Sequence, residues 1–464
     1  MPLEDRLSGD EVYYVGKARS LYRHGSYAVN ERPISAERTL SYSDFRPPGY
    51  AMFVSAFLPF GETNMDLRRC IRLSQFLLDV ASTTLLLGVA FQFNRAKGFH
   101  IASAVLLGIQ PWTSAYIASI YPDTLAAFLA TTGILGLSMF VGAGKWYARV
   151  PALFSGSALL SLAFGIRPEM IVFVPAMVLI SLILVKRKTS WRAIASYGIL
   201  SALPFLTLVG MNIAYRWHVE RQFRIFGEFR HVTPGLIRWT QTWIGLQTSK
   251  EELLFGGLTR GGMDVERFAR LPKRAFADAA EWKALENVVR NAHSRGYMTV
   301  EEDDVFMEIA RARIAADPLT YFLWTRLYNS FYLWINMSNA AHYLSGFALV
   351  PRVFSKSLTA LFFFAKIAVL LGFMGGACAL ALRLPLAMHV WHANFVLLGA
   401  FFAVMRTFIV GFYVDLAEFR YALVAWPCVL IVALFGLAHV WPCRRIEIDC
   451  RKRKRGGVAD GVRP

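Results

Sequence analysis

The sequence predicts an all-α, polytopic integral membrane helical bundle with an extracytoplasmic helical region, and three observations carry that expectation. Of the 464 residues, 55% are hydrophobic and only 18% are charged, too apolar a balance for an ordinary soluble protein of this size. The apolar residues gather in runs of about 20, the length that crosses the hydrocarbon core of a bilayer. Between those runs, loops rich in lysine and arginine alternate with loops that carry the acids, as they do when a chain passes back and forth through a membrane. The net charge of +18 is taken up by short loops and by the tail Arg451-Lys452-Arg453-Lys454-Arg455, so no nucleic-acid partner is expected. Cys70, Cys378, Cys428, Cys443 and Cys450 show neither metal-type nor disulfide-type spacing and are assigned no chemistry.

Residues 1–69 form the first loop. Asp10 and Glu11 open a helical pattern in which Tyr14, Ala18, Leu21 and Tyr22 recur on one face, so the acids sit at a helix start. They either complement the helix dipole of a solvated segment or hold a carboxylate in place for chemistry. Residues 70–214 and 358–441 supply the transmembrane regions, with nine candidate spans at 71–93, 98–120, 124–141, 152–166, 170–185, 193–213, 358–382, 385–405 with an extension to 412, and 421–440. The fourth and fifth are short and are split by Arg167-Pro168-Glu169, where the proline enforces a break. Residues 215–357 hold amphipathic patterns at 251–254, 264–274, 281–295 and 302–316. The aromatic-rich stretch 325–334 is expected along the outer leaflet, with a cap on the bundle as the alternative. Residues 442–464 form a basic tail.

Loops 94–97, 145–149 and 186–192, Arg383 and the tail fall on one side, which the positive-inside rule calls cytoplasmic. The opposite side receives the first loop, 121–123, 167–169, 215–357 and 415–420, so that Asp10, Glu11, Asp123, Glu169 and Glu418 converge there. No signal peptide pattern is read ahead of the first loop, so the expectation is either a further hydrophobic segment of about 20 residues upstream or a loop translocated by the first span unaided.

The chain has no glycine-rich phosphate loop, no His-Glu-x-x-His and no Gly-x-Ser-x-Gly, and a nucleotide-driven reaction is disfavoured. Group transfer on the outer face then calls for a lipid-borne activated donor, a carboxylate base and cations for a phosphate. Asp123, in Tyr-Pro-Asp-Thr, reads as a helix cap or as part of such a site. Arg167 and Glu169 at membrane depth persist when paired or lining a cavity, and Arg420-Tyr421 reads as either a site element or an interfacial anchor. Asp79 is expected to be a buried acid bonded to a neighbouring helix, and His389 and His392 are expected to be core residues.

Several stretches, in order, resemble the GT-C membrane glycosyltransferases of the family-39 or aminoarabinose-transferase-like branch, a group that includes the dolichyl-phosphate-mannose protein mannosyltransferases. They are Asp10-Glu11 with Tyr14 and Ala18, Gly25-Ser26-Tyr27, Arg46-Pro47-Pro48-Gly49-Tyr50, Arg72-Leu73-Ser74-Gln75, Tyr121-Pro122-Asp123, Gly165-Ile166-Arg167-Pro168-Glu169, Asp317-Pro318-Leu319-Thr320-Tyr321, and Glu418-Phe419-Arg420-Tyr421. The resemblance covers nearly the whole chain and departs from the family in the first transmembrane helix, which there precedes the acidic loop. It implies transfer of a sugar from a polyprenyl-phosphate carrier to a glycan, lipid or protein acceptor, in the plasma (inner) membrane with the active site facing outside, and an outer-loop aspartate as base. On that reading the transfer is inverting, Asp10 is the base, and Asp123 with Glu11 shapes the pocket. Arg46, Arg167 and Arg420, with Glu169 and Tyr421 beside them, receive the lipid phosphate or substrate. No cofactor is required, and a divalent metal between Asp10 and Asp123 is left open. A transporter or flippase of lipid-linked sugars is the alternative. It would show internal repeats and matching broken helices, and the sequence offers one break, at Pro168, and no repeat.

Overall fold

A computed structural model describes residues 10–25, 47–61, 63–108, 117, 119–186, 189–220, 223, 234–243, 265–295, 298–335, 352–382, 390–413 and 422–441. Every regular element among them is helical. The main bundle comprises α1 (Asp10–His24), α2 (Gly49–Ser55), α3 (Asn64–Ala90), α4 (Lys97–Gly108), α5 (Asp123–Gly142), α6 (Trp146–Ile166), α7 (Met170–Lys186) and α8 (Trp191–Glu220), and then α14 (Arg352–Ala381), α15 (Val390–Tyr413) and α16 (Trp426–Val440). Between these two groups lie α9 (Pro234–Gln241), α10 (Val265–Ala269), α11 (Ala279–Arg295), α12 (Val300–Ala316) and α13 (Thr325–Ile335). Seven described helices are long and apolar enough to cross a membrane, and the protein is an integral membrane protein. Of the nine expected spans, the second contains the 12-residue helix α4 and the fifth the 17-residue helix α7.

The fourth span starts earlier than expected, because α6 begins six residues before 152. Pro151 stands early in the helix, where the loss of one backbone donor is tolerated more easily than at its centre. Trp146 and Tyr147 are exposed at its start, as aromatic residues are at a membrane interface. Arg149 secures this end by donating to the Ala143 carbonyl at 2.7 Å and to Thr189 Oγ1 at 3.1 Å.

The bundle closes around α16, which is apolar all round and buried along nearly its whole length, as a helix with no polar face must be. It packs against α14 and α15, and α15 also packs against α5. The α5–α6 contact is the most extensive. It depends on Gly133 and Gly136 facing Gly156, where any side chain would strike the opposing backbone. Small residues at such crossings replace the hydrophobic driving force that lipid removes. α3 opens with a capping box, Thr63 Oγ1 accepting from Asp66 N at 3.2 Å while Thr63 N donates to Asp66 Oδ2 at 3.4 Å, the reciprocal pairing that satisfies orphan helix-end donors.

The segment between α8 and α14 has a second apolar core of its own, built from Leu236, Trp239, Phe268, Leu285, Val289 and Phe306 among others. The patterns at 281–295 and 302–316 become α11 and α12. The pattern at 264–274 becomes the short α10 followed by a 3₁₀ turn, Lys273–Ala275, divided at Pro272. The pattern at 251–254 lies outside the described residues, as does the basic tail. Asp303 holds the start of α9, its two carboxylate oxygens accepting from Gly235 N at 2.8 Å and Leu236 N at 2.9 Å. Burial raises its pKa, and these bonds oppose the rise only in part.

α13 buries Arg326, Asn329, Ser330, Leu333 and Trp334, while Phe331 is exposed. Its buried face docks on α15, with Trp334 Nε1 donating to Thr407 Oγ1 at 2.8 Å and Ser330 packed on Gly411, where a Cβ would collide with the serine hydroxyl. The helix expected along the outer leaflet therefore caps the bundle with one face and leaves aromatic side chains on the other. Asp79, expected to bond a neighbouring helix, is half-buried and has no ion pair or hydrogen bond among the described residues. His392 is buried, and His389 lies outside the described residues.

Candidate functional site

The polar cluster gathers at one end of the bundle, where α1, α2, the start of α3, the 119–123 turn, the 167–169 break and the late part of α15 meet. Gly49 opens α2 because its backbone lies against the Gly165 carbonyl at the end of α6, leaving no room for a Cβ. That close approach sets Tyr50 deep in the bundle with no exposed surface. Tyr14 from α1 meets the Tyr50 ring edge-on at 4.8 Å, and Arg19 ties α1 to α3 by donating to Asn64 Oδ1 at 2.6 Å. Gln75 Nε2 donates to Tyr50 OH at 2.7 Å and to the Tyr121 carbonyl at 2.9 Å, joining α2, α3 and the turn before α5.

Each described acid of the cluster is met by a guanidinium. Glu11 accepts from Arg68 Nη2 at 2.7 Å through Oε2 and from the Ile120 backbone N–H at 3.1 Å through Oε1. Asp123, fully buried, is bonded by Arg167 Nη2 through Oδ1. Arg167 Nη1 lies 3.9 Å from Glu169 Oε1, and Arg406 Nη2 donates to the same oxygen at 2.8 Å. Arg406 has no exposed surface and lies over the Phe173 ring, 5.4 Å from its centroid. Asp123, Arg167, Glu169 and Arg406 thus form a chain of two acids and two bases. Charges buried this deeply persist when they are paired and further bonded.

Tyr50 joins the two halves. Burial first, then Tyr14 and the negative charges of Asp123 and Glu11, push its pKa well above 10, with only the Gln75 bond opposing them. The phenol therefore keeps its proton throughout the physiological range. Burial would raise the Glu169 carboxyl, but Arg406 and Arg167 outweigh it and hold the group below its usual value.

The structure brings together Glu11, Asp123, Arg167 and Glu169 from the sequence reading. Asp10 is the first residue of α1, four positions before Tyr14, and its side chain lies outside the described set, as do Arg46, Arg420 and Tyr421. The capping alternative for Asp123 is not realised, because α5 starts at Asp123 itself, the cap is Pro122 and no side-chain cap bond is made. Arg68, Tyr50 and Arg406 were not singled out as site residues. For Arg406 the signal was present, since it is a lone charge inside the apolar run of α15, and a charge in a span marks a site by default. Among the described residues no group of three His, Cys, Asp or Glu side chains is placed to hold a metal ion.

No protein-family model and no curated protein sequence matches the chain. Two solved structures are similar to it: ArnT from Cupriavidus metallidurans bound to undecaprenyl phosphate and the same protein in the apo state. The first shows 16% identity and a TM-score of 0.36 over 92% of this chain and 74% of that one. The second shows 16% identity and a TM-score of 0.31 over 91% and 73%.

Proposed function

We propose that this protein is a glycosyltransferase that moves a sugar from a polyprenyl-phosphate donor to an acceptor on the extracytoplasmic face of the membrane, with inversion. The observation that carries the reading is the paired acid and arginine chain around buried Tyr50, gathered from distant segments to one end of a lipid-facing bundle. A scaffold gains little from burying ionic groups that apolar side chains of similar volume would replace at no loss of stability. In the proposed step an acceptor hydroxyl oxygen bonds to the anomeric carbon as the bond from that carbon to the phosphate oxygen breaks. The phosphate monoester leaves with the electron pair, and the hydroxyl proton passes to a carboxylate. Asp10 is assigned that base, because Glu11 and Asp123 are committed to Arg68 and Arg167 and serve to shape the pocket. Guanidinium forks stabilise the charge that develops on the leaving phosphate. A divalent ion between Asp10 and Asp123 stays an alternative for the same charge.

The experiment is incubation of the purified full chain in lipid nanodiscs with a radiolabelled prenyl-phosphate sugar and candidate acceptors, following release of free prenyl phosphate. Stoichiometric release with label on the acceptor is expected. In sealed vesicles, movement of intact donor across the bilayer with no release of prenyl phosphate would identify a transporter instead.

A further inference from the structure

Away from the ion cluster, a second buried arginine is built differently. Arg326 on α13 is only 8% exposed. Its Nη2 donates to Tyr321 OH at 2.8 Å and to Gln241 Oε1 at 3.2 Å, and Tyr321 OH donates to the same Gln241 oxygen at 2.9 Å. The guanidinium also lies over the Tyr321 ring, 4.8 Å from its centroid. Both partners are neutral oxygens. Among the described residues no carboxylate pairs with Arg326, and its buried Nη1 has no hydrogen-bond partner.

The local backbone is shaped to produce this arrangement. In an α-helix, positions five apart are separated by about 140° around the axis and do not share a face. Here the chain enters α13 through a π-helical turn, Thr320–Trp324, closed by Thr325 N–H donating to the Thr320 carbonyl. The wider turn brings Tyr321 and Arg326 onto one side. Such π turns are rare and concentrate at functional positions. Asn329 follows one turn later on the same buried face.

Burying an unneutralised guanidinium costs several kcal/mol that two neutral acceptors do not return. An anion does return it. Tyr321 and Gln241 fix one edge of the planar fork, which leaves the Nη1 edge for a ligand, and such a fork matches the oxygens of a phosphate. We infer that Arg326, oriented by Tyr321 and Gln241 and accompanied by Asn329, is a binding site for a phosphate group, separate from the Asp123–Arg167–Glu169–Arg406 chain. α13 meets α15 at Thr407, the residue after Arg406, so the two sites are joined by one packed contact. The inference concerns binding and does not depend on sugar transfer.

The test uses the full chain in nanodiscs of a zwitterionic lipid, with inorganic phosphate and a long-chain prenyl monophosphate as separate probes, read by native mass spectrometry and by the thermal midpoint. The wild type should bind at least one probe and gain thermal stability from it. Binding of both identifies a site for free phosphate, binding of the prenyl monophosphate alone identifies a lipid-headgroup site, and either result supports the inference where the binding weakens in the Arg326 variant. Arg326→Met should weaken binding about ten- to a hundred-fold while leaving the unliganded midpoint unchanged or higher, because an unpaired buried charge has been removed. Tyr321→Phe, which keeps the ring, should weaken binding several-fold and covers the case in which the methionine variant fails to fold. Absence of binding to either probe by the wild type overturns the site. Unchanged binding in both variants, or in Tyr321→Phe alone where Arg326→Met does not fold, does the same.

Discussion

Arg406 and Arg326 are both buried arginines on helices that touch each other, yet their surroundings differ in kind. Arg406 closes an ion pair with Glu169 at 2.8 Å, whereas among the described residues Arg326 bonds the neutral oxygens of Tyr321 and Gln241 and no carboxylate. In the first place charge is balanced within the protein and acts as structure that shapes a pocket. In the second it is left over and calls for a ligand. A buried arginine alone therefore says little about role, and the partner on its other side decides.

The largest effect that tests this contrast comes from removing Arg406. Arg406→Met strands Glu169 with Arg167 alone, at 3.9 Å, and breaking a buried pair costs about 3–5 kcal/mol. Denaturation in detergent should show a loss of that size. Adding Glu169→Gln should recover most of it, because the double variant no longer buries an unpaired charge. A fully additive pair would mean that the two residues do not act on each other.

Arg167→Lys comes next. Lysine keeps the charge but not the planar fork that bonds Asp123 while approaching Glu169. The variant should fold and lose roughly ten-fold in transfer, about 1.4 kcal/mol. Wild-type transfer would reduce Arg167 to a counter-charge.

A smaller effect is expected with pH, and its sign separates the bundle from the segment between α8 and α14. Glu169 is held below its ordinary value, so its contribution is complete above about pH 4.3 and is lost as pH falls through the lowered value. Asp303 is raised by burial, so its contribution is complete below about pH 3.9 and is lost as pH rises through the raised value. Hydrogen exchange followed by segment from pH 3 to pH 6 should show α9 losing protection with rising pH, and that trend should flatten in Asp303→Asn. The smallest effect is that of Tyr50→Phe. It removes the acceptor for Gln75, which keeps the Tyr121 carbonyl, so about 1 kcal/mol should be lost.

Much of this was legible in the sequence for simple reasons. Apolar runs of bilayer length located the spans, and Pro168 located the break between α6 and α7. The alternation of charged loops places Glu11, Asp123, Arg167 and Glu169 at one end. The pairings were not legible, because they join residues far apart in the chain: Glu11 to Arg68, Asp123 to Arg167 and Glu169 to Arg406. Arg68 lies ahead of the apolar run that starts at Ile71, although the capping box starts α3 at Asn64. Arg326 was hidden by an α-helical reading of 325–334, which gave no hint of the π turn that sets Tyr321 beside it.

The most direct test of the central claim is the rate of sugar transfer by Asp10→Asn, measured with donor binding in the same preparation. Asparagine keeps the size and most of the hydrogen bonding but lacks the basic oxygen. General-base catalysis is typically worth about 10²–10⁴ in rate, and transfer should fall by that order while donor affinity stays within about two-fold of wild type. Transfer at the wild-type rate with the donor bound would contradict the account, and the base would then have to be sought in the ion cluster, beginning with Asp123.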